Sequence, residues 1–202
     1  MMTNEENYCF DVGGYLIVPG VLTDAIVAQL NEAFDATGHF DGMLSWEGEQ
    51  RELFRDLLVH PVLVDYVNQL CGTGFRLEQL PRLITDDPAA KLSFDGKLSG
   101  GDEPRDQARA YYHQNDRRQC QLVRAIWALE DVAAGDGGPV FVQASHKTNV
   151  EMPTGLEEGT QDLGLVREIP LKAGDLLLLA DTTIRGLRPW TGAGRLRLLD
   201  YG

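Results

Sequence analysis

The chain has 202 residues, 43% of them apolar, and a formal charge of −13; that is enough to bury one substantial core and too little for two ordinary domains, so a single domain over 1–202 is expected. So acidic a surface repels phosphate backbones, which argues against a nucleic-acid partner and for a small molecule or a protein. No apolar run approaches the length of a membrane span and no charged, apolar, small-residue leader opens the sequence, so the expectation is a cytoplasmic protein off the membrane, with Cys9, Cys71 and Cys120 reduced and mostly buried.

In chain order, Gly14 to Gly20 is a β-branched, apolar run stopped by Pro19 and Gly20, a strand followed by a turn. A helix follows, with Thr23 as N-cap, Asp24 in its first turn, and Ile26, Val27, Leu30 and Phe34 at helical spacing. A second helix is expected from about Glu49 to Val59, with Leu53, Phe54, Leu57 and Leu58 on one side. Pro61 starts a third, carrying Val62, Leu63, Val67 and Leu70, with Gly72 where a left-handed cap is wanted. Beyond Gly74 the pattern changes to short strands between Gly, Pro and Asp clusters: Phe75 to Ile84, Cys120 to Glu130, Pro139 to Ala144, Val166 to Leu171, Asp175 to Asp181 and Arg195 to Tyr201. Pro88 to Arg109 has no periodicity and reads as a long loop near the mouth of the β part. Helices first and short strands after predict an α+β fold, a sandwich or jelly roll with the N-terminal helices packed on one outer face.

Three segments in order, Trp127-Ala-Leu-Glu-Asp-Val132, Gly135-Asp-Gly-Gly138 and Ala144-Ser-His-Lys147, resemble the core of the phytanoyl-CoA dioxygenase family. Phe10 to Gly20 resembles its opening strand, Phe75-Arg-Leu77 its first sheet strand, Lys172-Ala-Gly-Asp175 one of its turns and Pro189-Trp190-Thr191 a segment near its end, so the resemblance runs from about residue 10 to 201. It implies a cupin-like double-stranded β-helix that holds iron(II) through two histidines and one carboxylate, with 2-oxoglutarate gripped by an arginine near the last strand. Such a set leaves three coordination positions open for co-substrate and oxygen. Arg185 stands where the resemblance implies the distal histidine, and a guanidinium has no lone pair for a metal. Gln79, Ser99 and Gln119 also stand where relatives are expected to show histidine. The histidines present are His39, His60, His113 and His146. From these losses the sequence predicts no bound metal and no cofactor, with iron(II) and 2-oxoglutarate as the alternative.

His113, in Tyr111-Tyr-His-Gln-Asn-Asp116, has Asn115 two residues on and Asp116 three on; positions i and i+2 share a strand face and i+3 does not. It reads as a metal or proton-transfer residue or as a polar residue at the pocket rim. His146 reads as part of a structural turn. Arg197 resembles the 2-oxoglutarate arginine and could hold a carboxylate by a planar two-point pair, or form a salt bridge with an acidic residue. Arg124 alternates with Leu122 and Ile126 inside a strand, so its charge must be paired or open to a cavity. Arg185 would supply the charge that a metal supplies elsewhere, or pair with Glu78, Asp116 or Asp181.

Three functions follow. The first is an enzyme of secondary metabolism that works without iron: it binds a small, carboxylated molecule beside Arg197, Arg124, Gln119, Ser99 and Gln79, and steers a redox-neutral cyclisation, isomerisation or elimination. Arg185 and Arg197 would stabilise charge there, and His113 or Asp116 would move the proton. The second is an active iron(II)/2-oxoglutarate hydroxylase with atypical ligands. The third is a non-catalytic binding or regulatory relative.

Overall fold

A computed structural model describes residues 1–86, 93–95, 109–115 and 117–202. The chain opens on helix α1, Asn4–Gly13, where the sequence suggested the start of a strand. The Thr3 hydroxyl accepts from the Glu6 N–H while the Glu6 carboxylate accepts from the Thr3 N–H at 2.6 Å, a reciprocal cap that satisfies two otherwise orphaned donors. Gly14, at φ 82°, ends the helix, and strand β1, Tyr15–Val18, follows at once.

Helices α2 (Asp24–Thr37), α3 (Gly48–Leu58) and α4 (Pro61–Leu70) lie where the apolar spacing put them. The Thr23 hydroxyl accepts from the Ile26 N–H as the N-cap of α2, and Pro61 opens α4. Their buried stripes, Val27, Leu30 and Phe34, then Phe54 and Leu57, then Leu63 and Leu70, share one core with Phe10 of α1.

The strands are β2 (Arg82–Thr85), β3 (Ser93–Asp95), β4 (Tyr111–Gln114), β5 (Arg117–Cys120), β6 (Val123–Ala128), β7 (Gly138–Val142), β8 (Val166–Glu168), β9 (Leu176–Ala180), β10 (Arg185–Arg188) and β11 (Arg197–Tyr201). A five-stranded sheet runs β1-β9-β6-β11-β2, a four-stranded sheet runs β3-β10-β7-β8, and β4 and β5 form a separate ribbon. Every pairing is antiparallel. Two expectations shift: the strand begun at Phe75 starts at Arg82, because Glu78 and Gln79 donate their N–H groups to the Gly202 carbonyl instead, and β3 lies within the stretch read as loop. The rest of that stretch falls outside the described residues, except Arg109.

Alternation along β6 sets the layers. Val123, Ala125 and Trp127 face the helices, whereas Ile126 and Ala128 join Leu177, Leu198, Phe141 and Leu187 between the two sheets. Val140 and Val142 of β7 point the other way, under Met152 and under Leu156 of the short helix α5, Thr154–Glu157. No helix among the described residues is long and apolar enough to cross a membrane.

Gly14 is a tight point of this assembly: a Cβ there would lie 2.5 Å from Nδ1 of His146 and 2.8 Å from Oγ1 of Thr183, at a φ that side chains rarely adopt. Gly14→Ala is therefore expected to lose about 1–3 kcal/mol of stability, read by urea denaturation. An unchanged midpoint would show that the α1–β1 junction is not held against the 145–147 turn.

Candidate functional site

At one end of the inner face the apolar packing gives way to charge. Arg124 projects from β6 on the side of Ile126, 2% exposed, toward Asp200 of β11, 1% exposed. Asp200 pairs across the ladder with Ile126, so both charged residues face the other sheet. Arg124 holds Asp200 at two points, Nε to Oδ1 at 2.9 Å and Nη2 to Oδ2 at 2.7 Å. Its Nη1 donates to Oε1 of Gln79 at 2.6 Å and to Asp181, just beyond β9, at 3.3 Å.

Further arginines close around the two carboxylates. Arg82 reaches Asp200 at 3.2 Å, Arg109 reaches Asp181 at 2.9 Å, and Arg185, at the start of β10 on the opposite sheet, lies 3.6 Å from Asp181. Arg185 also donates to the carbonyls of Asp181 at 2.8 Å and Thr183 at 3.3 Å. Burial works against the charge on Arg124; its hydrogen bonds to Asp200 and the nearby Asp200 and Asp181 charges outweigh that and hold its pKa above the ordinary arginine value. Gln79 and Arg109 continue outward into an open cleft of about 850 Å³ that Leu63, Val67, Cys71 and Tyr201 also line.

The other sequence candidates lie apart from this network. Arg197 stands on the opposite face of β11: it donates to the carbonyl and side chain of Asn31 at 3.2 and 3.0 Å and pairs with Asp35 at 2.5 Å, so its guanidinium is held in an ion pair against α2. His113 is exposed on β4 and its Nε2 lies 3.8 Å from Asp11 of α1. Gln119 is half-buried on β5, opposite Tyr112. Ser99 and Asp116 fall outside the described residues. His146 is fully buried in the 145–147 turn, where Nε2 meets the Asp11 carbonyl at 3.0 Å and the ring meets Tyr111 edge-on at 4.6 Å.

Asp11 thus ties α1 to the sandwich: it accepts from the Tyr111 hydroxyl and from Nζ of Lys147 at 2.9 Å. Partial burial pushes its carboxyl up, but the Tyr111 and Lys147 hydrogen bonds and the charges of Lys147 and His113 prevail and leave it below the usual carboxylate range.

The residues that sequence reasoning did not single out are Asp200, Arg82 and Arg109; Asp181 entered it as one possible partner of Arg185. Asp200 carried a signal, since alternation along β11 separates Leu198 and Asp200 from Arg197, Leu199 and Tyr201. Nothing local marks Arg82 or Arg109.

A family model described as phytanoyl-CoA dioxygenase matches residues 10–186. Among solved structures, HygX from Streptomyces hygroscopicus with nickel, 2-oxoglutarate and hygromycin B bound superposes with a TM-score of 0.83 at 23% identity, over 99% of this chain and 86% of that one. The epimerase SnoN with Fe3+, alpha ketoglutarate and nogalamycin RO gives 0.66 at 18% identity, over 98% and 81%. The alpha ketoglutarate dependent carbocyclase SnoK from nogalamycin biosynthesis gives 0.66 at 17%, over 99% and 83%. No curated protein sequence matches the chain.

These findings correct the expectation of no metal and no cofactor: the matching family is one of dioxygenases, and its solved neighbours hold iron or nickel together with 2-oxoglutarate. Among the described residues no three His, Cys, Asp or Glu side chains gather as a ligand set, His113 is turned to Asp11, and Arg185 has no lone pair to offer. By themselves these residues do not fit an iron ion.

Removing the charge of Arg124 strips Asp200 of its two-point partner inside the sandwich. Arg124→Met is expected to cost about 3–5 kcal/mol in denaturant unfolding, and the double substitution Arg124→Met with Asp200→Leu distinctly less. Equal losses in the single and double variants would mean that the pair is not the stabilising unit. Asp11 supplies a pH signature. Its folded pKa lies below the unfolded value, so its contribution is present above the unfolded pKa and lost as pH falls through the folded one. Between about pH 5 and pH 3 the stability of Asp11→Asn should therefore fall less steeply than that of the wild type; parallel curves would sink the assignment.

Proposed function

We propose, from its place in the phytanoyl-CoA dioxygenase family, to which the chain belongs, that this protein is an enzyme that modifies a small molecule and binds a carboxylate at the arginine-rich end of its interior, 2-oxoglutarate being the first to test. The observation that carries this reading is the enclosure of Asp181 and Asp200 by Arg82, Arg109, Arg124 and Arg185 between the two sheets. Guanidinium groups recognise carboxylates through paired N–H donors, and out of bulk water that recognition strengthens.

The strand order supports a double-stranded β-helix. From β6 onward the chain alternates between sheets, with β7 and β8 in the smaller, β9 in the larger, β10 in the smaller and β11 in the larger. In such a fold the ligand sits between the sheets at one end, and the charged cluster occupies one end here. The cleft beside Gln79 and Arg109 offers a route to it.

In this reading Arg109 and Arg185, both tied to Asp181, swing part of their donor capacity to the incoming carboxylate, while Arg124 stays locked on Asp200 and keeps the floor rigid. Gln79 fixes the outer Nη of Arg124 and presents its amide toward the cleft. A bound iron ion would supply oxygen activation in enzymes of this family, but the described donors do not make up its ligand set. The neighbours SnoN and SnoK, named for epimerisation and ring closure in nogalamycin biosynthesis, favour a tailoring step on a natural product over hydrolysis.

The test is calorimetric titration of the purified protein with 2-oxoglutarate, with and without added iron(II), beside elemental analysis of the protein as isolated. Binding is expected, and Arg109→Gln should weaken it by roughly ten- to a hundredfold, the range for losing a hydrogen bond to a charged group. Absence of binding by 2-oxoglutarate, glutarate and succinate under both conditions would end the proposal.

A further inference from the structure

Two cysteines far apart in the chain meet where the end of α4 packs on the end of β5. Cys71, at the C-cap of α4, lines the cleft; Cys120 closes β5 and is 3% exposed. Cys71 packs on the buried cluster that contains Cys120, close enough for the two thiols to perturb one another's ionisation, and the Cys120 thiol donates to the Leu122 carbonyl at 3.6 Å. The Cys71 sulfur lies beside the Val123 N–H and near the guanidinium of Arg118. That guanidinium is held by the Gln69 carbonyl at 3.4 Å and stacks over Phe10 at 5.7 Å. Every one of these contacts to Cys71 favours a sulfur anion, and one face of the residue opens on the cleft.

We propose that Cys71 and Cys120 are a site of reversible oxidation, closing to a disulfide under hydrogen peroxide with Cys71 as the attacking sulfur and Cys120 as the resolving one. The assignment of roles follows from access and charge. Thiolates attack and thiols do not; contact with Cys120, together with Arg118 and the Val123 N–H, outweighs burial and draws the Cys71 pKa down, while that of the buried Cys120 is pushed well up. A resolving thiol in contact with the attacking one also protects it from over-oxidation.

The steps balance. The Cys71 sulfur bonds to one peroxide oxygen, the O–O bond breaks, and the departing hydroxide leaves as water with the proton of the Cys71 thiol. The Cys120 sulfur then bonds to the Cys71 sulfur, the S–O bond breaks, and a second water leaves with the Cys120 proton. Two thiols lose two electrons in all, and both peroxide oxygens are reduced to water. The new bond would fasten the end of α4 to the β5–β6 corner and so fix one wall of the cleft. The proposal stands independently of which ligand the cleft admits.

The full chain carrying Cys9→Ser, which removes the exposed third thiol, is treated with hydrogen peroxide and mapped as peptides without reduction. The expected result is two titratable thiols before and none after, a Cys71–Cys120 linked peptide, a mass lower by two hydrogens, and full recovery with dithiothreitol. Arg118→Met should slow closure by roughly three- to tenfold. Oxidation of Cys71 to the sulfinic acid with Cys120 still titratable, or survival of both thiols, would overturn the proposal. An Arg118→Met rate equal to that of the parent would overturn the assignment of Cys71 as the activated sulfur.

Discussion

Carboxylates can leave water for the inside of a β-sandwich when cations go with them, and the grip of Arg124 on Asp200 and Asp181 is the condition on which the rest of this molecule depends. The pair ties the middle strand of the larger sheet to its neighbour β11 and, through Asp181 and Arg185, to the smaller sheet. Hydrophobic packing brings the sheets together at one end; at the other, the same interval is spanned by ions. A geometry that forces charge to face charge holds distances more tightly than apolar contact does, because a two-point guanidinium–carboxylate pair has one planar arrangement.

That division of labour separates the fold from the chemistry. The apolar half, with Ile126, Leu177, Leu198 and Phe141, could serve any jelly roll. The polar half carries the charged side chains, with a guanidinium, Arg185, at the start of β10. Family membership rests on the whole pattern of strands and turns, whereas the identity of the ligand rests on a few side chains that the pattern does not dictate.

Much of the scaffold was legible in the sequence. The stripes of α2 and α4, the Thr23 cap and the alternation of β6 place themselves, because burial repeats at 3.6 or at 2 residues. Helix α1 was missed although Thr3 and Glu6 carry the signature of a reciprocal cap; the resemblance to an opening strand outweighed it. The β4–β5 ribbon turns at Asn115, at φ 52°, in a stretch whose polar residues show no alternation to read. At the site, Arg124 was recognisable as a charge that needs partners, but the partners come from β11, from the end of β9 and, in Gln79, from the segment ahead of β2, and sequence spacing has no access to such meetings. Arg197 shows the limit of reasoning by position: strand parity, read strictly, puts it with Leu199 and Tyr201 on the helix side, facing Asp35.

The sheet order also governs how this chain can be made. Its two outer strands in the larger sheet, β1 and β2, come early, while their partners β9 and β11 are synthesised last. A nascent polypeptide that has emerged only as far as β8 therefore carries α2 and α3 without Leu176, Leu178, Leu199 and Tyr201, which complete the core they share. Until β9 and β11 follow, that core is incomplete and its apolar stripes are open to other chains.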